Sequence, residues 1–190
     1  MNAPSPTLSL KARALRHLAR REHTRVELER KLTAHLSAAR RAGERGREAA
    51  PGGSGGSGGP GPRAADVDID VEAAEQVRRT LDELAAHGLL SDERAAESML
   101  ASQGSRFGSR RLKQTLLAKG LAPDLVRSTV QQSRATEYER AQDLWRRRFG
   151  QTPSDPRERA RQIRFLAGRG FDADVIRRIV GNTSPPDAEG

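Results

Sequence analysis

The stretch Lys119-Gly120-Leu121-Ala122-Pro123-Asp124-Leu125-Val126-Arg127-Ser128-Thr129-Val130 returns without a gap, 50 residues later, as Arg169-Gly170-Phe171-Asp172-Ala173-Asp174-Val175-Ile176-Arg177-Arg178-Ile179-Val180. In both copies a basic residue and a glycine close one helix, because glycine takes the left-handed conformation of a helix end without a Cβ clash. An aspartate then sits near the start of the next helix. Paired apolar residues one turn apart, Val126 with Val130 and Ile176 with Val180, make its buried stripe. Self-similarity at a fixed spacing predicts a helical repeat.

The match continues upstream, where 111–119 aligns with 161–169 and Leu116 meets Leu166. Adding the preceding helices, 92–102 and 137–149, completes two three-helix units. Tyr138, Ala141, Trp145 and Phe149 read as packing residues of the second. A third, degenerate unit lies in front, with helices over 8–20, 24–36 and 74–87. Its apolar positions Leu15, Leu18, Leu28, Leu32 and Leu36 recur at helical spacing, and Thr24 with Glu27 forms a capping box. Ala74, Val77, Leu81 and Leu84 continue the pattern until His87-Gly88 ends it, and Ser91 is placed to cap the helix that follows.

Residues 43–62 contain Pro51-Gly52-Gly53-Ser54-Gly55-Gly56-Ser57-Gly58-Gly59-Pro60, a composition that buries no apolar surface and behaves as a flexible coil. The predicted fold is therefore all-α: an elongated array of three tandem three-helix units, about nine helices, with a disordered Gly/Ser-rich insertion. The expected boundaries are 8–90 for the first unit, interrupted by a linker over 43–65, then 91–134 and 135–181, with a disordered tail over 182–190.

Charge is segregated along this array. The formal net charge is +9, yet 66–99 holds ten acidic and three basic residues, while 8–41 holds ten basic and three acidic. Residues 104–134 carry seven basic and one acidic, and 135–180 eleven basic and seven acidic. Basic helices of this kind suit a polyanionic partner, since Arg and Lys release counterions from phosphates. With no cysteine, disulfides, zinc fingers and thiol nucleophiles are excluded. A polar start and the lack of a long apolar run predict a cytoplasmic chain with no membrane contact.

Enzymatic chemistry finds little to work with. Asp66, Asp68 and Asp70, with Glu72, are the only dense carboxylates, and they read as acids that favour a helix N-terminus rather than as metal ligands. His17, His23, His35 and His87 are scattered and read as solvated or capping residues. The Gly/Ser tract lacks the Gly-Lys-Ser/Thr ending of a phosphate loop. No catalytic residue, metal or cofactor is expected.

The motifs nonetheless resemble a known family. Gly88-Leu89-Leu90-Ser91-Asp92-Glu93-Arg94, then Arg106-Phe107-Gly108-Ser109-Arg110-Arg111-Leu112 and Leu116-Leu117-Ala118-Lys119-Gly120-Leu121, resemble the central unit of the RecX regulators. The run 24–32 is similar to that family's first-unit signature, and 166–171 to its third. Ala95 stands where the family usually has an aromatic residue, Thr115 where it has glutamate, and the 43–62 insertion is a further departure. The resemblance implies a non-enzymatic monomer that lies in the groove of a RecA filament on single-stranded DNA, with double-stranded DNA as a further ligand. It implies inhibition of ATP hydrolysis and strand exchange, and so tempering of DNA repair, recombination and the SOS response. The alternative is a general nucleic-acid-binding helical protein without a RecA target.

The residues expected to touch DNA or RecA are Arg110, Arg111 and Lys113, which open one helix of the middle unit, and Arg146, Arg147 and Arg148, which close a helix of the next. Arg25 joins them. The two clusters bracket the junction between units, which predicts that they share one surface.

Overall fold

The computed structural model describes residues 9–48 and 64–181, and those residues form nine helices and no strand. The all-α reading holds. The middle of the Gly/Ser insertion, 49–63, and the tail, 182–190, lie outside the described residues. Two compact units divide the chain, Met1–Asp92 and Glu93–Gly190.

The first unit contains α1 (Leu10–Leu18), α2 (Arg25–Glu48) and α3 (Ala64–Ala86). Thr24 starts α2 as expected, its hydroxyl accepting the Glu27 amide at 3.1 Å. The core joins Ala14, Leu28, Leu32, Val77, Leu81, Leu84 and Leu90, with Leu10, Leu18 and Leu36 packed beside it. Leu15 does not belong to it: the buried face of α1 is Leu10, Ala14 and Leu18, at i, i+4 and i+8, and Leu15 is 38% exposed. At the other end Gly88 takes φ +67° and the Leu89 amide reaches back to the Leu84 carbonyl at 2.8 Å, closing α3 as the sequence requires.

Two boundaries differ from expectation. Helix α2 runs on to Glu48, through Gly43 and Gly46, and α3 begins at Ala64 rather than at 74. Residues 37–42 are mostly Ala and Arg, the strongest helix formers, and an isolated glycine costs only about 1 kcal/mol relative to alanine. Once a helix is nucleated, that penalty does not stop it. The predicted linker is thus helical at both ends, and the backbone of Asp66, Asp68 and Asp70 lies within α3, not in a loop before it.

His23 is a further correction, being 3% exposed instead of solvated. Its ring meets His17 edge to face at 5.8 Å, and its Nδ1 lies 3.6 Å from Glu27. Burial pushes its pKa below the ordinary value, Arg21 and Lys31 push the same way, and Glu27 opposes them. The unfolded chain therefore takes up this proton first as pH falls. Stability held by neutral His23 is complete above the unfolded pKa near 6.5 and is lost as pH drops toward the folded value. The thermal midpoint should fall between pH 7.5 and 5, and His23→Gln should flatten that part of the curve.

The second unit contains α4 (Asp92–Gln103), α5 (Ser109–Ala118), α6 (Pro123–Ala135), α7 (Glu137–Arg148), α8 (Pro156–Gly168) and α9 (Ala173–Val180). The repeated glycines do what the alignment demands, Gly120 at φ +78° and Gly170 at φ +77°. Proline opens both α6 and α8, where its missing amide costs nothing. One core gathers Ala95, Ala96, Met99, Leu112, Leu116, Leu121, Val126 and Val130. A second gathers Ala141, Trp145, Leu166, Phe171, Ile176, Ile179 and Val180.

Trp145 packs as expected, 8% exposed with its indole N–H donating to Gln162 Oε1 at 2.7 Å. Leu116 and Leu166 have no exposed surface, so alanine at either should cost roughly 2–5 kcal/mol in urea unfolding. Tolerance of both substitutions would contradict the equivalence of the two positions.

Candidate nucleic-acid interface

Within the second unit, the helices of the two repeat copies meet backbone to backbone. The Gly108 amide donates to the Arg169 carbonyl at 2.9 Å, and the Arg110 amide to the Gly170 carbonyl at 3.1 Å. A Cβ on Gly108 would stand 2.3 Å from the Gly170 oxygen and from the Phe171 Cα, so only glycine fits. Glu137, 2% exposed, places one carboxylate oxygen to accept the Ser109 amide at 2.9 Å and the Asp172 amide at 3.2 Å. One side chain thereby satisfies an amide at the start of α5 and another at the N-cap of α9.

Arg140, one turn later on α7, fills the other side of this junction. It donates to the carbonyls of Gly104, Phe107 at 2.8 Å and Ser133 at 2.6 Å, and to the Ser133 hydroxyl. Burial lowers its pKa while Glu137 opposes that shift. Neither residue was singled out from sequence. Their contacts with Gly104, Phe107, Ser109 and Asp172 span 28 to 36 residues and leave no mark on local periodicity.

The junction decides where the predicted basic residues go. Arg110 and Arg111 are exposed at the start of α5, with the Arg111 guanidinium 4.2 Å from the centre of the Phe107 ring. Lys113 is two residues on, about 200° round the helix from Arg111, and so leaves on another side, toward α6. Arg146, Arg147 and Arg148 are exposed at the far end of α7, about 14–16 Å along its axis from Glu137. Arg25 belongs to the first unit, where its amide donates to Asp92 at 2.8 Å and its guanidinium pairs with Asp82 at 2.6 Å.

What links the two arginine clusters is α8, a helix the repeat predicts but on which no contact residue was expected. Phe149, next to Arg148, meets Phe165 edge to face at 5.2 Å. Arg161 lies 5.7 Å from the Phe149 ring and Arg169 3.8 Å from the Phe165 ring. Arg157 and Arg164 are exposed beside Arg161 around a shallow recess that Asp155 and Glu158 also line. At the end of α8 the carbonyls of Arg169 and Gly170 accept the Gly108 and Arg110 amides, which brings the start of α5 against the end of α8. Five arginines lie over aromatic rings in this unit, Arg106, Arg111, Arg161, Arg169 and Arg178, several times the usual density of about one per 70–80 residues. Guanidinium groups held on rings are pre-organised for anionic oxygens.

No group of three or more potential metal ligands occurs among the described residues, and no helix among them is long and apolar enough to cross a membrane.

Residues 91–129 match the family model of the RecX second three-helix domain, and 135–180 that of the third. The chain is 40% identical over 180 residues to the regulatory protein RecX of Leptothrix cholodnii, covering 95% of this chain and 92% of that one. The chain belongs to the RecX family. RecX of Ralstonia pickettii is 37% identical over 180 residues, covering 95% and 91% of the two chains. The crystal structure of RecX from Lactobacillus salivarius shares the fold, with a TM-score of 0.58 at 18% identity over 90% of this chain and 92% of that one. The two RecX domain models fall on the helices that form the junction and the α8 strip.

Proposed function

We propose that this RecX protein regulates RecA without catalysing a reaction, by binding the RecA filament on single-stranded DNA and restraining ATP hydrolysis and strand exchange. Membership of a family of regulatory proteins carries the reading. The basic and aromatic strip supports it physically. Arg146, Arg147 and Arg148, then Arg157, Arg161, Arg164 and Arg169, then Arg110 and Arg111 offer a path of guanidinium groups along one body. Such a path can follow a phosphate backbone or an acidic protein surface, and the gain comes from counterion release. In the cell this activity would temper recombination and the SOS response in the cytoplasm, with the protein acting as a monomer.

The deciding experiment adds the purified chain to RecA assembled on single-stranded DNA and follows ATP hydrolysis. Dose-dependent inhibition is expected. Unchanged hydrolysis, with tight binding to the same DNA lacking RecA, would replace this reading with that of a general nucleic-acid binder.

A further inference from the structure

On the other side of α5 from Arg111, a groove of about 410 Å³ runs between α5 and α6, lined by Lys113, Val126, Arg127, Val130, Gln131 and Arg134. Its lining contains three cations, one amide, two valines and no carboxylate. We propose that this groove binds an acidic peptide carrying an aliphatic anchor flanked by carboxylates. The groove shares no lining residue with the recess on α8, and the inference does not depend on the reading given above.

The chemistry of the occupant follows from the walls. Val126 and Val130 supply an apolar floor, which a phosphate backbone cannot use, whereas a leucine or isoleucine side chain can. The four arginine-covered rings, Phe107, Tyr138, Phe149 and Phe165, are not among its lining residues, so the groove offers no platform for stacking a base. One turn beyond Lys113 on the same helix, Leu117 is 47% exposed and extends the apolar surface.

Spacing narrows the partner further. Arg127 and Arg134 are seven residues apart on α6, about 10 Å along its axis. Each is steadied by a single carboxylate, Arg127 by Asp124 at 2.6 Å and Arg134 by Asp172 at 3.3 Å, which leaves other N–H groups of each fork for a ligand. Side chains of an extended peptide alternate between faces, so two carboxylates four residues apart share one face, about 13 Å apart with an aliphatic residue between them, a span that two long arginine side chains can meet. Gln131 sits between the arginines and offers an amide to the peptide backbone. The fit is to an extended peptide with acids on both sides of an aliphatic pair.

The test uses the full chain and fluorescence anisotropy at low salt. The probe is the fluorescein-labelled, end-capped hexapeptide Glu-Asp-Leu-Leu-Asp-Glu, with Glu-Asp-Ser-Ser-Asp-Glu as its partner and labelled 20-mer oligothymidylate as a third ligand. Saturable binding of the leucine peptide is expected, at least tenfold tighter than that of the serine peptide. Arg127→Glu and the isosteric Gln131→Glu, both at exposed positions, should each weaken it about tenfold while shifting oligothymidylate affinity less than twofold. The inference fails if the leucine peptide does not saturate, or if both peptides bind alike, which would mean charge alone. It also fails if the variants weaken oligothymidylate as much as peptide, which would make the groove a nucleic-acid site.

Discussion

Gly108→Val is expected to separate the α4–α6 helices from the α7–α9 helices while leaving each of their cores intact. The added carbon would lie 2.3 Å from backbone atoms of Gly170 and Phe171, and no side-chain rotamer relieves a clash with main chain. Overpacking in a yielding core costs about 1–3 kcal/mol, and here nothing yields short of undocking. Glu137→Ala attacks the same place by another route. It strands the Ser109 and Asp172 amides, each worth about 1–3 kcal/mol when buried without a partner. Both variants should keep most of their helical circular dichroism, and in both the second unit should unfold in two urea transitions, against the single transition expected of the parent unit. A single transition with unchanged midpoint in either variant would refute the role assigned to the junction.

Charge reversal of Arg110 and Arg111 to glutamate is expected to raise the concentration needed for half-inhibition of RecA ATP hydrolysis by about tenfold or more. Hydrogen bonds to charged groups contribute about 1.5–3 kcal/mol each, and tenfold corresponds to about 1.4 kcal/mol. Fewer phosphate contacts mean a shallower salt dependence, so the defect should be largest at low salt and narrow as salt rises. Both side chains are exposed and the Arg110 amide bond to Gly170 survives substitution, so thermal stability should change little. A folded variant that inhibits like the parent at every salt concentration excludes these two residues. The same reversal at Arg161 and Arg164 separates a contact limited to α5 from one that follows α8.

Much of this architecture is legible along the chain because helices advertise themselves locally. The fifty-residue match, the closing glycines at Gly88, Gly120 and Gly170 and the Thr24 cap all concern residues within a turn or two of one another. Leu116 and Leu166 sit where the alignment puts them. The limits of α2 and α3 are less legible, because the apolar stripe stops at Leu36 and resumes at Ala74 while the helical backbone runs on to Glu48 and starts at Ala64.

The contact surface is harder to read for a different reason. Lys113 follows Arg111 so closely in sequence that the two read as one cluster, but helix geometry sends them to different sides of α5, Arg111 over the Phe107 ring and Lys113 toward α6. Arg161 and Phe165 on α8 and Arg169 at its C-cap follow one another at one-turn spacing, and that spacing of basic and aromatic residues is the available signal for the strip. Glu137 and Arg140 carried no such signal, since the partners that hold the junction, Ser109 and Asp172 for Glu137 and Gly104 and Phe107 for Arg140, lie 28 to 36 positions away.

The glycine at 108 also bears on how freely these repeats can be rearranged. Fifty residues on, at the matching place, the chain carries Glu158, already inside α8 and accommodated by open surroundings. The two copies are therefore alike in their interiors and unlike on the faces by which they meet. Exchanging their order in a recombined gene would yield two sound cores with mismatched ends, a glutamate side chain standing where a bare backbone is required. Similarity of sequence between the modules marks a common way of folding, while the single position at which they most need to differ fixes their order along the chain.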